Sequence, residues 1–374
     1  SAPALPDWRR GRPGTRRARA GSSPRAEAPD SPARSSIDLP ASIQTPSFIP
    51  DVAGTYTITL TGGPSFDVVA GSWEGQSSSC TGCHDGSPAP DMMTGFAGTN
   101  HASAMHRKLD DAAGHFGANC LSCHTVGYSA AATNNGFDDV MATAGWTFPT
   151  TLEEGNWDAL VSGYPSLARL AGIQCENCHG PNDSDAHMAA DGSRQSMSAG
   201  MCAQCHDSGS HHFRPAEWPT TPHSNLHLAR EEGTYEARAT SAGHCGRCHA
   251  GQGFLVYAEN LEAGNPGSFT GTEAYFRGLG LQDSEVEPQT CQTCHDPHDA
   301  TNPHQIRIYD EIAMLPGGFG VAGVGMGALC MSCHNTRNGY SGTPASAWLH
   351  DDAAPTSRLT SYSGPHYSAQ ADVL

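Results

Sequence analysis

No run of 18 apolar residues occurs in the 374-residue chain, so no segment is expected to cross a membrane as a helix. Residues 1–20 are polar and Arg-rich and contain no apolar stretch of the kind an export signal needs. Cationic side chains are scarce, 20 Lys and Arg against 38 Asp and Glu. Eight of the arginines lie in residues 1–35, which leaves the other 339 residues with a net charge of −23. So acidic a surface argues against nucleic acid or an anionic membrane as partner. It suits solubility, or contact with cationic partners and oxidised metal. Long amphipathic periods are rare, while Gly and Pro number 43 and 26. The expectation is short helices joined by long irregular connections. Disulfides are missing as well, because one repeated motif uses every cysteine.

That motif is Cys-x-x-Cys-His, and it occurs seven times. Its cysteine pairs are Cys80 and Cys83, Cys120 and Cys123, Cys175 and Cys178, Cys202 and Cys205, Cys245 and Cys248, Cys291 and Cys294, and Cys330 and Cys333. The histidines that follow them are His84, His124, His179, His206, His249, His295 and His334. Two thiols at this spacing can add across the two vinyl groups of one haem, and the next residue can ligate its iron from one face. Zinc sites also use Cys-x-x-Cys, but they combine two pairs or add distant histidines and do not need His after every pair. Thioredoxin-like chemistry needs one pair on a βαβ pattern, not seven. The motifs predict seven c-type haems, and attachment of this kind takes place outside the cytoplasmic membrane. The chain is therefore expected to be a mature or truncated form of an exported protein, extracellular or on the cell surface, with the periplasm as the alternative. At about 41 residues per haem between Cys80 and His366, too little chain is left for a protein core between porphyrins, and the haems themselves are expected to form the core.

Composition divides the chain into five parts. Residues 1–35 read as an Arg/Pro-rich linker or tail. In residues 36–75 Tyr56, Ile58 and Leu60 alternate with Thr, which predicts a small β-rich extension. The run from Pro50 to Tyr56 resembles a corner of Ig-like repeats, though fewer residues precede Cys80 than such a domain needs. Residues 76–200 and 201–300 read as two copies of a three-haem module. Cys-Thr-Gly-Cys-His-Asp at 80 is followed by His101, and Cys-Ala-Gln-Cys-His-Asp at 202 is followed at the same offset by His223. Residues 301–374 carry the seventh motif. The predicted fold is mostly irregular and loop-rich, with short α-helices wrapped around a haem chain and a small β extension at the N-terminus.

Thirteen histidines remain outside the motifs, and a neutral imidazole is a good second ligand for iron. The candidates are His101, His115, His187, His223, His244, His298 and His366; six of them are repeat-related. His298 lies three residues after His295, on the same face of that haem, and is expected to serve a neighbouring one. His115 and His244, next to their own motifs, face the same restriction. His106, His211, His212, His227, His304 and His350 are left unassigned, with His212 and His350 as reserves.

The run from His115 to Tyr128, with Cys175-Glu-Asn-Cys-His-Gly-Pro, resembles the cytochrome c554-like group. The Cys-His-Asp-Pro-His run, Cys330-Met-Ser-Cys-His-Asn-Thr-Arg-Asn-Gly and Gly364-Pro-His-Tyr-Ser-Ala-Gln resemble the extracellular multihaem cytochromes of metal-reducing bacteria. Some of those polymerise into cytochrome nanowires. The resemblance implies electron transfer along bis-His haems rather than enzymatic turnover, with His366 as a distal ligand. The implied partners are further copies of the chain, head to tail, and redox cytochromes or extracellular electron acceptors. A monomeric electron carrier is the alternative. A multihaem oxidoreductase would need an iron with an open face, often with a Lys ligand, and no Cys-x-x-Cys-Lys occurs. An adhesin-like structural module would account for residues 36–75 alone.

Overall fold

The computed structural model describes residues 36–37, 48–50, 52–59, 63–76, 82–87, 89–181, 196–206, 217–317 and 319–335. The 1–35 tail, Cys80, His187 and His366 lie outside the described residues, as do His211, His212 and His350.

The N-terminal part is β structure. Strands β1 (Ser36–Ile37) and β2 (Phe48–Ile49) pair antiparallel, and so do β3 (Gly54–Thr59) and β4 (Ser65–Ala70), with Tyr56 opposite Val68. The period-2 pattern places Tyr56 and Ile58 inward, 0% and 6% exposed, while Thr57 and Thr59 reach Asp67 and Ser65 across the hairpin. The Tyr56 hydroxyl donates to the Val52 carbonyl at 2.8 Å and accepts from the Val52 N–H at 3.1 Å, which pins the corner that leads into β3.

The rest is helix-rich and loop-rich, and the chain forms two compact units that divide between Ser196 and Met197, the strands belonging to the first. The first unit holds α1 (Met93–Ala97), α2 (Asn100–Leu109), α3 (Leu121–His124), α4 (Phe137–Ala144), α5 (Asn156–Gly163), α6 (Pro165–Ala168) and α7 (Cys175–His179). Helix α2 starts where the Thr99 hydroxyl accepts from the Ala102 N–H, and its last turn carries His106, Arg107 and Lys108 at the negative end of the helix dipole. Asn156 and Trp157 then tie α5 to the end of α2, through the Leu109 carbonyl and the Asp110 carboxylate. Met105, Leu109, Leu121, Phe137, Leu160 and Leu167 form the core that these helices share.

The second unit holds α8 (Ala199–His206), α9 (Leu226–Gly233), α10 (Tyr235–Arg238), α11 (Ala242–His249), α12 (Gly251–Glu262), α13 (Glu273–Gly278), α14 (Cys291–Cys294) and α15 (Gly327–Cys333). Phe254, Tyr257 and Leu261 of α12 pack with Ile308, Ile312, Leu315 and Met331. A second cluster gathers Ala242, Phe269, Phe276 and Leu281. Helix α12 crosses close to α11, since a Cβ at Gly253 would collide with the Gly246 carbonyl. No described helix is long and apolar enough to cross a membrane.

One expectation needs correction. Both units have apolar cores of their own, whereas the average motif spacing left the haems as the only core. The average concealed two long inter-motif stretches, 125–174 and 250–290, which have room to fold α4–α6 and α12–α13 against themselves.

Candidate functional site

Six of the seven motifs lie wholly within the described residues, and each places both cysteines on a helical turn. These turns are the 3₁₀ turn Ala118–Cys120 running into α3, then α7, α8, α11, α14 and α15. Positions i and i+3 share a helix face, so both sulfurs project from one side, and His at i+4 joins them when the turn continues. In α3, α7, α8 and α11 the turn includes the histidine. His295 and His334 follow the last helical residue of α14 and α15, with His295 extended at φ −108°, ψ 136°. In the first motif, Cys83 and His84 lie in a turn and Cys80 is outside the described residues.

The donor set suits a haem better than zinc. Among the described residues no cysteine is in a disulfide, and no three His, Cys, Asp or Glu side chains converge as a metal cluster. Zinc needs three or four such ligands at one point, whereas a haem iron takes two at most from the protein. His295 adds a tautomer argument. Its Nδ1 lies 2.8 Å from the His304 carbonyl. A carbonyl can only accept, so Nδ1 donates, and in the neutral ring the lone pair is then on Nε2, as in metal-bound histidines oriented by a backbone oxygen.

The cysteines differ in exposure. Cys83, Cys175, Cys178 and Cys330 are exposed, whereas Cys120, Cys202, Cys245, Cys248, Cys291, Cys294 and Cys333 are half-buried. Cys123 and Cys205 are half-buried as well. Cys123 is half-buried in α3 with its Sγ 3.8 Å from the hydroxyl of Ser122, a polar neighbour inside its own motif. Cys205 is half-buried in α8. Neither is gathered into a metal-binding group of side chains. Their assignment to haem rests on the Cys-x-x-Cys-His spacing.

Of the candidate second ligands, His223 has the most informative position. It sits in the 3₁₀ turn Pro222–Ser224, and its ring centroid is 6.1 Å from that of His334, the motif histidine of the seventh site. Two imidazoles bound end-on to one metal, at about 2 Å per bond, have ring centres about 6 Å apart. Desolvation and the neighbouring His334 lower the His223 pKa, which favours the neutral, ligating form. The segment is anchored by Trp218, whose Nε1 donates to the Gln289 carbonyl at 2.7 Å. His101 lies on α2, and burial lowers its pKa too. His244 Nδ1 is 2.9 Å from the Ser268 hydroxyl. His298 lies in the turn after His295, with its backbone N–H on Asp296 and its Nδ1 3.8 Å from that carboxylate. His115 lies just before the 3₁₀ turn of the second motif, and Phe116 meets His124 edge-on at 5.1 Å. Two unassigned histidines are engaged elsewhere. His106 stacks on Trp157 at 5.2 Å, and His227 pairs with Glu231 at 3.2 Å.

Sequence reasoning passed over two charged residues that sit between motif cysteines. Glu176 is buried, and its carboxylate accepts from the Gly75 N–H at 2.6 Å and the Glu74 N–H at 3.3 Å. Arg247 is 2% exposed, donates to the Pro266 carbonyl and lies over the Tyr257 ring at 5.3 Å. Arg247 also contributes to lowering the Cys248 pKa, behind the larger effect of a hydrogen bond from Cys333. The signal was available, since charge between the paired cysteines marks only these two motifs. No protein-family model, no curated protein and no solved structure matches the chain.

Proposed function

We propose that the chain is a seven-haem c-type cytochrome that transfers electrons along a row of bis-His haems. The observation that carries this reading is the repeated presentation of two cysteines on one helical turn with histidine next in sequence, in all six fully described motifs. Bound haem would supply one-electron redox chemistry. The protein's own contribution is to hold each porphyrin edge through two sulfurs, to orient imidazoles as at His295, and to keep a second imidazole opposite, as His223 stands to His334. Two protein ligands per iron leave no substrate position, which favours an electron carrier over an oxidoreductase.

The reading extends to an exported protein that repeats head to tail as an extracellular filament, through a heterologous contact that does not close. Its electron partners would be other cytochromes or extracellular acceptors. Two measurements test the proposal. Pyridine haemochrome titration should give seven haems per chain, with low-spin EPR throughout. Negative-stain microscopy should show filaments. Haem stoichiometry well below seven, or a haem that readily binds nitrite or cyanide, would overturn electron transfer. A sharp monomer at every concentration would leave electron transfer standing and favour a soluble carrier.

A further inference from the structure

The sixth motif is built against a turn in which two successive non-glycine residues are left-handed. His304 has φ 57° and ψ 21°, and Gln305 has φ 57°. Side chains of this size rarely adopt such a backbone, and it persists only where surrounding bonds enforce it. Those bonds are present. The Gln305 N–H donates to the Asn302 carbonyl at 3.0 Å and the Ile306 N–H to the Pro303 carbonyl at 3.3 Å, which closes two overlapping turns. The turn is laced to the motif on both sides of His295. The Asp296 N–H donates to the Gln305 carbonyl at 2.7 Å, and the Arg307 N–H donates to the Cys294 carbonyl at 3.0 Å. Gln305 Nε2 adds a bond to the Asp296 carbonyl at 2.8 Å. Arg307 forks, with Nε on the Gln292 carbonyl at 2.8 Å and a second nitrogen on the Asp296 carboxylate at 2.6 Å.

This scaffold brings the His304 carbonyl to Nδ1 of His295 at 2.8 Å, while the His304 side chain is exposed. Resting on the haem reading above, we propose that residues 302–307 form a clamp that fixes the ring orientation and basicity of the His295 imidazole, with His304 and Arg307 as positioning residues. His304 acts through its backbone oxygen and not through its ring. An acceptor on Nδ1 leaves Nε2 the more basic ligand, which favours ferric iron and lowers the potential of the haem that His295 ligates. A backbone over-determined in this way holds the acceptor in one place in both oxidation states.

Spectroelectrochemical redox titration of the haem-loaded full chain tests the clamp, with pyridine haemochrome on the same sample giving the haem count. In H304P the proline ring forces φ to about −65°, which takes the carbonyl away from Nδ1. One seventh of the titration is expected to move to higher potential, with the rest unmoved. H304G removes the imidazole but keeps a left-handed turn and its carbonyl, and its titration is expected to match that of the unmutated chain. R307K keeps the charge but loses the fork, and a smaller shift in the same direction is expected. If H304P fails to hold its sixth haem, R307K carries the measurement. An unshifted titration in a seven-haem H304P, or an H304G shift equal to that of H304P, would overturn the clamp and leave the cytochrome reading intact. So would an R307K that is unshifted, or also short of a haem, where H304P has lost one. A count well below seven in the unmutated chain would overturn the cytochrome reading itself.

Discussion

Replacing His223 with alanine removes one of two imidazoles whose centres are 6.1 Å apart. Two metal–nitrogen bonds of about 2 Å, plus the short distance from each nitrogen to its ring centre, take up that whole separation. On the proposed haem reading, the separation matches one iron held between the two rings. In H223A the seventh haem keeps both thioether bonds and His334 but loses its opposite ligand. The haem count stays at seven, while one seventh of the iron turns high-spin. Low-temperature EPR spin quantitation reads this fraction, and pyridine haemochrome on the same sample reads the count. The control is H227A, because His227 is four residues away and paired with Glu231 at the surface. It should leave the spectrum unchanged. An H223A protein with seven haems and entirely low-spin iron would refute the pairing, since another side chain would then hold that face.

Four further outcomes follow from particular contacts. G253A should weaken the α11–α12 crossing, because its Cβ meets the Gly246 carbonyl, and should lower the haem count by one through the fifth motif; an unchanged count and melting temperature would contradict this. Glu287 is pushed by burial up to about 7, only partly offset by Arg230. Its folded pKa is above its unfolded one, so the native state holds the proton longer and stability falls as pH rises from about 4.5 to about 7. E287Q should remove a penalty of about 3 kcal/mol above that window and change little below it, read as a flatter pH dependence of thermal unfolding. Y56F removes the hydroxyl that bridges Val52 and should cost about 1 kcal/mol in the β3–β4 hairpin, visible as faster amide exchange there and nowhere else. H298A should disturb a haem other than the one held by Cys291 and Cys294, seen as one haem turned high-spin with the sixth site unaltered.

The motifs were legible because the chemistry is local: five consecutive residues contain both sulfurs and one ligand, and a single helical turn presents them. The Tyr56/Ile58 alternation was legible for the same reason, as the strand period is written in adjacent residues. What could not be read joins distant positions. Nothing in the sequence brings His223 to His334, Trp218 to Gln289 or Cys248 to Cys333. Nor does the motif distinguish exposed cysteines such as Cys83 and Cys330 from half-buried ones such as Cys123 and Cys205, because a sulfur's exposure is set by the fold around its turn. The buried Arg247 was hidden differently. A guanidinium is expected at the surface, and its burial depends on the Tyr257 face and the Pro266 carbonyl, which the fold delivers. The protein cores were missed because the motif spacing was averaged, when the stretches 125–174 and 250–290 are the ones that fold helices of their own.

The apolar cluster under α12 draws its side chains from residues 254–261, 308–315 and 328–331. During synthesis, α12 emerges about 70 residues before Met331, at about 5–20 residues per second, so its buried face stays uncovered for several seconds. The second unit cannot close cooperatively until its last motif is made. A chain cut after the sixth motif would keep α12 whole but leave Phe254 and Leu261 facing solvent, a sticky intermediate rather than a smaller working protein. The α15 turn thus acts as a completeness check: only a chain translated through Met331 can bury the surface that would otherwise aggregate.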